Sequence, residues 1–199
     1  DTYMKKYAEK FHTLYFGVLW NKIYIAEIIK DNNITFNKDI SLGEDSLFNL
    51  QYLRRVKRVY AENHSFYYHY RDNAESLTKI TPSYEMWDMA IIRYQYCIET
   101  YKYMNLLDEC RKDLAFKILS DLMIPVDELI NDKTSKIKET NTKLRSLVKN
   151  QVVDFGYQNL EKLSLAHKII KITRKSDSYL LMTVILKIKS RMQKCKGRK

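Results

Sequence analysis

Proline and glycine are scarce in this sequence, with two prolines and four glycines among 199 residues. That excludes a fold built from many tight turns and points to long helices with few sharp connections. Cysteine is equally thin. Cys97, Cys110 and Cys195 are odd in number and lack metal-ligand spacing, which argues against a disulfide framework and for a reducing, cytoplasmic setting. Histidine gives no metal signature: His12, His64 and His167 are scattered, and no pair has helical ligand spacing beside a carboxylate. No glycine-rich phosphate loop and no serine–histidine–acid order is present, and no secretory leader is visible. What is plentiful is apolar and basic. Hydrophobic residues make up 45% of the chain and sixteen are tyrosines, enough for a folded core in one or two domains. The net charge of +11 calls for an anionic partner: nucleic acid, a membrane surface or a phosphorylated substrate.

The densest local signal is Gly43-Glu44-Asp45-Ser46-Leu47-Phe48-Asn49. A glycine lets the backbone turn, two carboxylates follow, and Leu47, Phe48, Leu50 and Leu53 give the next segment a buried face. Carboxylates at a helix start are favoured by the unpaired N–H groups and the dipole there. The same arrangement holds a base rigidly at the edge of a pocket, and it is also an ordinary way to begin a helix.

Around it, helices are expected near residues 3–14 and 24–31, with short strands at Ile34–Phe36, near Arg58–Glu62 and at Phe66–Arg71. Beyond Pro82 the pattern turns helical. Thr81 and Pro82 make a helix start, and Met86, Met89, Ala90, Tyr94 and Cys97 follow at three-and-four spacing. Further helices are expected near 106–123, 127–150, 157–174 and 178–194, with breaks near Pro125 and Gly156. The expected fold class is α+β and predominantly α-helical, divided into a mixed segment 1–82 and a helical region 83–199.

Several motifs then follow in order: Trp20-Asn21-Lys22-Ile23-Tyr24, Ile34-Thr35-Phe36, the Gly43-Glu44-Asp45 turn, the basic Arg54-Arg55-Val56-Lys57, the aromatic Phe66-Tyr67-Tyr68-His69-Tyr70-Arg71, and Ser76-Leu77-Thr78. In order and spacing this series, over about residues 15–80, resembles the second half of the catalytic domain of family 2 glycosyltransferases, inverting enzymes of the GT-A fold. The resemblance implies that residues 1–82 are the C-terminal part of such a domain. No Asp-x-Asp motif of the kind that holds a metal on the donor diphosphate precedes Trp20, and the chain begins at Asp1. The expectation is therefore a C-terminal fragment of a larger enzyme, inactive alone, whose divalent metal (manganese or magnesium) has its main ligands outside this chain.

The resemblance also implies roles. Asp45 is the general base that takes the acceptor hydroxyl proton, and Glu44 orients the acceptor or supports the turn. Alternation puts His69 and Arg71 on one face of their strand, where an arginine fork suits diphosphate oxygens and a histidine adds a donor or ligand; solvated edge side chains are the plain alternative. Lys22 meets donor or acceptor, or is an ordinary surface lysine. Trp20 and Tyr24 stack on a sugar ring, or belong to the core. The implied partners are a nucleotide-sugar donor and a glycan or lipid-linked acceptor in bacterial cell-surface polysaccharide (capsule) synthesis.

The C-terminal stretch carries a separate message. Tyr179–Leu186 is strongly apolar, Lys187, Lys189, Arg191, Lys194, Lys196, Arg198 and Lys199 follow, and no acidic residue occurs after Asp177. The run is shorter than the about 20 residues a bilayer requires. It fits either an interfacial helix drawn to anionic lipid at the inner face of the plasma membrane or a final helix packed on the bundle. Two other classes are distinguishable: a non-enzymatic helical interaction or membrane-surface module, and a nucleic-acid binder. No binding motif supports the latter, so no nucleic acid is expected.

Overall fold

The computed structural model describes residues 2–9, 17–40, 43–61, 84–132 and 134–196. Among them every regular element is helical: α1 (Thr2–Glu9), α2 (Ala26–Asp31), α3 (Glu44–Leu53), a 3-10 turn (Tyr84–Met86) leading into α4 (Trp87–Tyr103), α5 (Leu107–Asn131), α6 (Ile137–Val148), α7 (Gln151–Asn159), α8 (Leu165–Lys175) and α9 (Tyr179–Lys196).

The α+β expectation is overturned, since no strand occurs among the described residues. Ile34–Phe36 has the side chains of a strand but not its ladder. The Ile34 N–H donates to the Ile29 carbonyl at 3.0 Å, and the Thr35 carbonyl accepts from Gln51 Nε2 at 3.2 Å. The apolar groups are satisfied by rings instead: Phe36 stacks on Phe48 with centroids 4.8 Å apart, and Ile34 is buried with Phe48 and Tyr52. Residues 58–61 are also non-strand and exposed. The expected strand Phe66–Arg71 and the helix start at Thr81 and Pro82 lie outside the described residues.

The main core is built where α5 meets α6, α7, α8 and α9. Leu119, Leu122 and Val126 of α5 are sealed from solvent with Leu144, Val153, Ile170 and Met182. The expected break at Pro125 does not occur. Proline removes one hydrogen-bond donor from the ladder, yet Pro125 is itself buried, and Val126, Leu129 and Ile130 continue the stripe of Leu122 into the same core. Packing overrides the local cost. The helix instead ends at Asp132, whose carboxylate accepts from the Thr134 N–H at 2.8 Å and hydroxyl at 2.6 Å, and from the Ser135 hydroxyl. These donors hold its carboxyl below the usual range. Asn150 and Ser164 cap α7 and α8 by accepting the N–H groups of Val153 and His167. His167 is a structural bridge: its ring nitrogens lie 2.9 Å from Ser164 Oγ and 3.0 Å from the Leu119 carbonyl.

A second core ties the first half of the chain to the bundle. Met4, Leu50 and Leu53 share one cluster with Cys97, Tyr101, Cys110 and Leu114, and the Tyr101 hydroxyl donates to the Met4 carbonyl at 2.7 Å. α3 is thus seated on α4 and α5, which fixes the acidic turn at its N-terminus relative to the bundle.

Gly156 sets how closely α7 approaches α5. A Cβ there would stand 2.8 Å from Leu119 Cδ2 and 2.9 Å from its Cγ, against a side chain that is wholly buried. Gly156→Val is expected to destabilise by about 1–3 kcal/mol through overpacking, exceeding a helix-propensity gain of less than about 1 kcal/mol. Urea unfolding at constant slope measures it.

Candidate functional site: the acidic turn at the start of α3

Gly43 precedes α3 with φ 91° and ψ 11°, a left-handed conformation that costs an L-residue energy and glycine almost none. No side chain caps the helix at Gly43, so the carboxylates of Glu44 and Asp45 fall in the first turn, where the helix dipole favours them. Behind the turn stands Arg93 of α4. Its Nη1 and Cδ come within 2.9 and 3.0 Å of where a Gly43 Cβ would be. Arg93 in turn faces Asp121 of α5, 3.9 Å away, and Asp121 also receives Lys117 at 2.6 Å and the Tyr94 hydroxyl. Two bundle helices therefore back the turn.

The segment 17–25 closes over α3 from the other side. Asn49, 1% exposed, donates to the Gly17 carbonyl at 2.7 Å and accepts from the Tyr24 hydroxyl at 2.6 Å. The Tyr52 hydroxyl accepts the Ile25 N–H at 2.9 Å. Tyr24 sits edge-on to both Phe48 and Tyr52, with centroids 5.5 and 4.9 Å apart. Tyr24 is thus a packed aromatic whose hydroxyl is bonded.

This clasp brings Lys22 and the backbone of Leu19 to Asp45. Burial, and then the adjacent Glu44 charge, push the Asp45 carboxyl above its ordinary value, while the Leu19 N–H and Lys22 hold it back. Burial lowers the Lys22 amine to about 8, against the pull of Asp45. Lys22 Nζ donates to the Val18 carbonyl at 2.6 Å and to Asn21 Oδ1 at 2.8 Å. The arrangement is a half-buried carboxylate of raised basicity beside an amine, with Trp20 half-buried in the adjoining turn. A carboxylate tuned this way accepts a proton more readily than a solvated one.

The Lys22 shift has a direct consequence. Between about pH 8 and 10.5 the folded amine is neutral while the unfolded one stays protonated, so stability rises with pH across that window. The difference in melting temperature between wild type and Lys22→Met is expected to change in that sense over the window and to be flat below it.

The structure therefore brings together Glu44, Asp45, Lys22 and the turn carrying Trp20; His69 and Arg71 lie outside the described residues. Asn49, Tyr52 and Arg93 were not singled out in the sequence. Asn49, a polar residue set directly between Phe48 and Leu50, was the available clue. Among the described residues no group of three or more His, Cys, Asp or Glu is placed to hold a metal. A cavity of about 340 Å³, lined by Met123, Asp127, Asn131 and Lys189 among others, lies in the bundle and shares no residue with the acidic turn.

No protein-family model matches this chain, and no solved structure matches it. A stretch of 102 residues is 33% identical to the uncharacterized glycosyltransferase EpsJ of Bacillus subtilis strain 168, covering 51% of this chain and 29% of that protein. The chain thus spans less than a third of its relative's length. Over about half its own length it is related to a protein named as a glycosyltransferase.

Proposed function

We propose that this chain is the acceptor-side part of an inverting family 2 glycosyltransferase acting on a nucleotide-sugar donor, with Asp45 as its general base. The observation that carries the reading is the acidic turn itself. A carboxylate of raised basicity is held from behind by the bundle and from the side by the Asn49 clasp, within a chain related to a glycosyltransferase.

In the proposed reaction the Asp45 carboxylate takes the proton of an acceptor hydroxyl. That oxygen bonds to the anomeric carbon as the bond to the nucleoside diphosphate breaks, and the anomeric configuration inverts. Glu44 orients the acceptor. Its charge also raises the basicity of Asp45. Lys22 and Trp20 line the approach, and His69 and Arg71 contact the donor diphosphate. A manganese or magnesium ion on the donor diphosphate would take its main ligands from outside this chain and would neutralise the charge of the leaving group. The acceptor is a glycan or lipid-linked saccharide of the cell surface.

The test is the stereochemistry of the product. The full-length enzyme, supplied with manganese and the nucleotide sugar it turns over, is expected to release a nucleoside diphosphate. The new glycosidic bond should have the opposite anomeric configuration to the donor, read by proton NMR. Retained configuration would overturn the inverting mechanism, and with it the need for a base at Asp45.

A further inference from the structure

α9 is two-sided in an unusual way. Tyr179, Met182 and Leu186 are buried in the main core and Thr183 is buried on the same side, so the opposite side of the helix faces solvent. An outward side is ordinarily polar. Here it carries Leu180, Leu181, Val184 and Ile188, each 41–57% exposed, with Lys187 among them. The solvent-facing side of α8 repeats the composition, with Leu165 and Ile172 exposed alongside Lys168 and Lys175. The one carboxylate at the α8–α9 turn, Asp177, is already engaged by Arg145 at 3.4 Å and Lys149 at 3.5 Å. From Lys187 to the end the sequence has seven lysines and arginines and no acid. No helix among the described residues is long and apolar enough to cross a membrane.

We infer that the exposed apolar and basic side of α9 docks on an anionic lipid surface, lying in the interface and not spanning it. Leucine, valine and isoleucine supply apolar area for the acyl boundary, and the lysines supply attraction to acidic headgroups. The charge pattern selects this occupant. A second copy seated face to face would set Lys187 against like charge in a molecule of net charge +11, whereas an acidic lipid surface complements every ionic group on the stripe. The inference goes beyond the transfer reaction and does not depend on it, because vesicle binding is read without turnover.

The experiment is cosedimentation of the full chain with vesicles of phosphatidylcholine alone or mixed equally with phosphatidylglycerol. Three proteins are compared: wild type, the double variant Val184→Asp with Ile188→Asp, and Lys187→Gln, each checked for unchanged circular dichroism. Wild type is expected to sediment with the anionic vesicles and not the neutral ones. Affinity should fall at least about tenfold in the double variant and about five-fold in Lys187→Gln. Equal binding to both vesicles, binding to neither, or undiminished binding by the folded double variant would overturn the assignment. So would a wild-type dimer in light scattering that the double variant returns to monomer.

Discussion

Full-length enzyme carrying Asp45→Asn is expected to turn over about 10²–10⁴-fold more slowly than wild type while keeping its fold. The amide matches the carboxylate in shape and still accepts the Leu19 N–H, but it cannot take a proton. Stability should move little. Because burial and Glu44 raise the Asp45 pKa, the folded state holds that proton more tightly than the unfolded one. Its contribution to stability is present at acid pH, below the unfolded value of 3.8, and is lost as pH rises through the folded value. At neutral pH the charge is thus a small burden on the fold, offset by about 0.3–1 kcal/mol of helix-dipole attraction. A melting temperature close to wild type at neutral pH, together with a collapsed kcat, is the expected pair of results.

Asn49→Ala, by contrast, is expected to destabilise the protein by about 2–4 kcal/mol, since a buried polar group left without its partner costs about 1–3 kcal/mol. The substitution orphans the Gly17 carbonyl and the Tyr24 hydroxyl together and leaves a gap beside Leu50, which is 0% exposed. Tyr24 also packs on Phe48 and Tyr52, so the loss spreads along the clasp. Activity should fall as well, because the segment that carries Lys22 and the Leu19 N–H is no longer fixed beside Asp45. Urea denaturation gives the stability change. Asn49→Asp separates the bonds, because a carboxylate still accepts from Tyr24 but cannot donate to Gly17.

The contrast between these two residues shows what a sequence discloses. The acidic turn was legible because its signals are local: a glycine where the backbone must turn left-handed, two carboxylates on the next two positions, and Leu47, Phe48, Leu50 and Leu53 as the buried face of the helix. Asn49 was not legible because its partners lie 25 and 32 residues away and are a hydroxyl and a backbone carbonyl. Ile34-Thr35-Phe36 misled for the complementary reason. β-Branched and aromatic side chains favour a strand only where a ladder and a packing face exist, and here the rings of α3 took the packing while the backbone bonds went elsewhere. At Pro125 a strong local breaker was outweighed by a long apolar stripe. Gly156, a helix breaker by propensity, lies inside α7, where its missing Cβ matters for packing against Leu119 and not for ending the helix.

In the proposed glycosyl transfer Asp45 removes the acceptor proton. The measurement that addresses it most directly is nucleoside diphosphate release by the full-length enzyme with manganese, across a panel of nucleotide sugars, comparing wild type with Asp45→Asn at matched protein and equal melting temperature. Release from one donor by wild type and a loss of about a hundredfold or more in the variant are expected. Equal rates in the two proteins would contradict that role and reduce the acidic turn to the start of a helix.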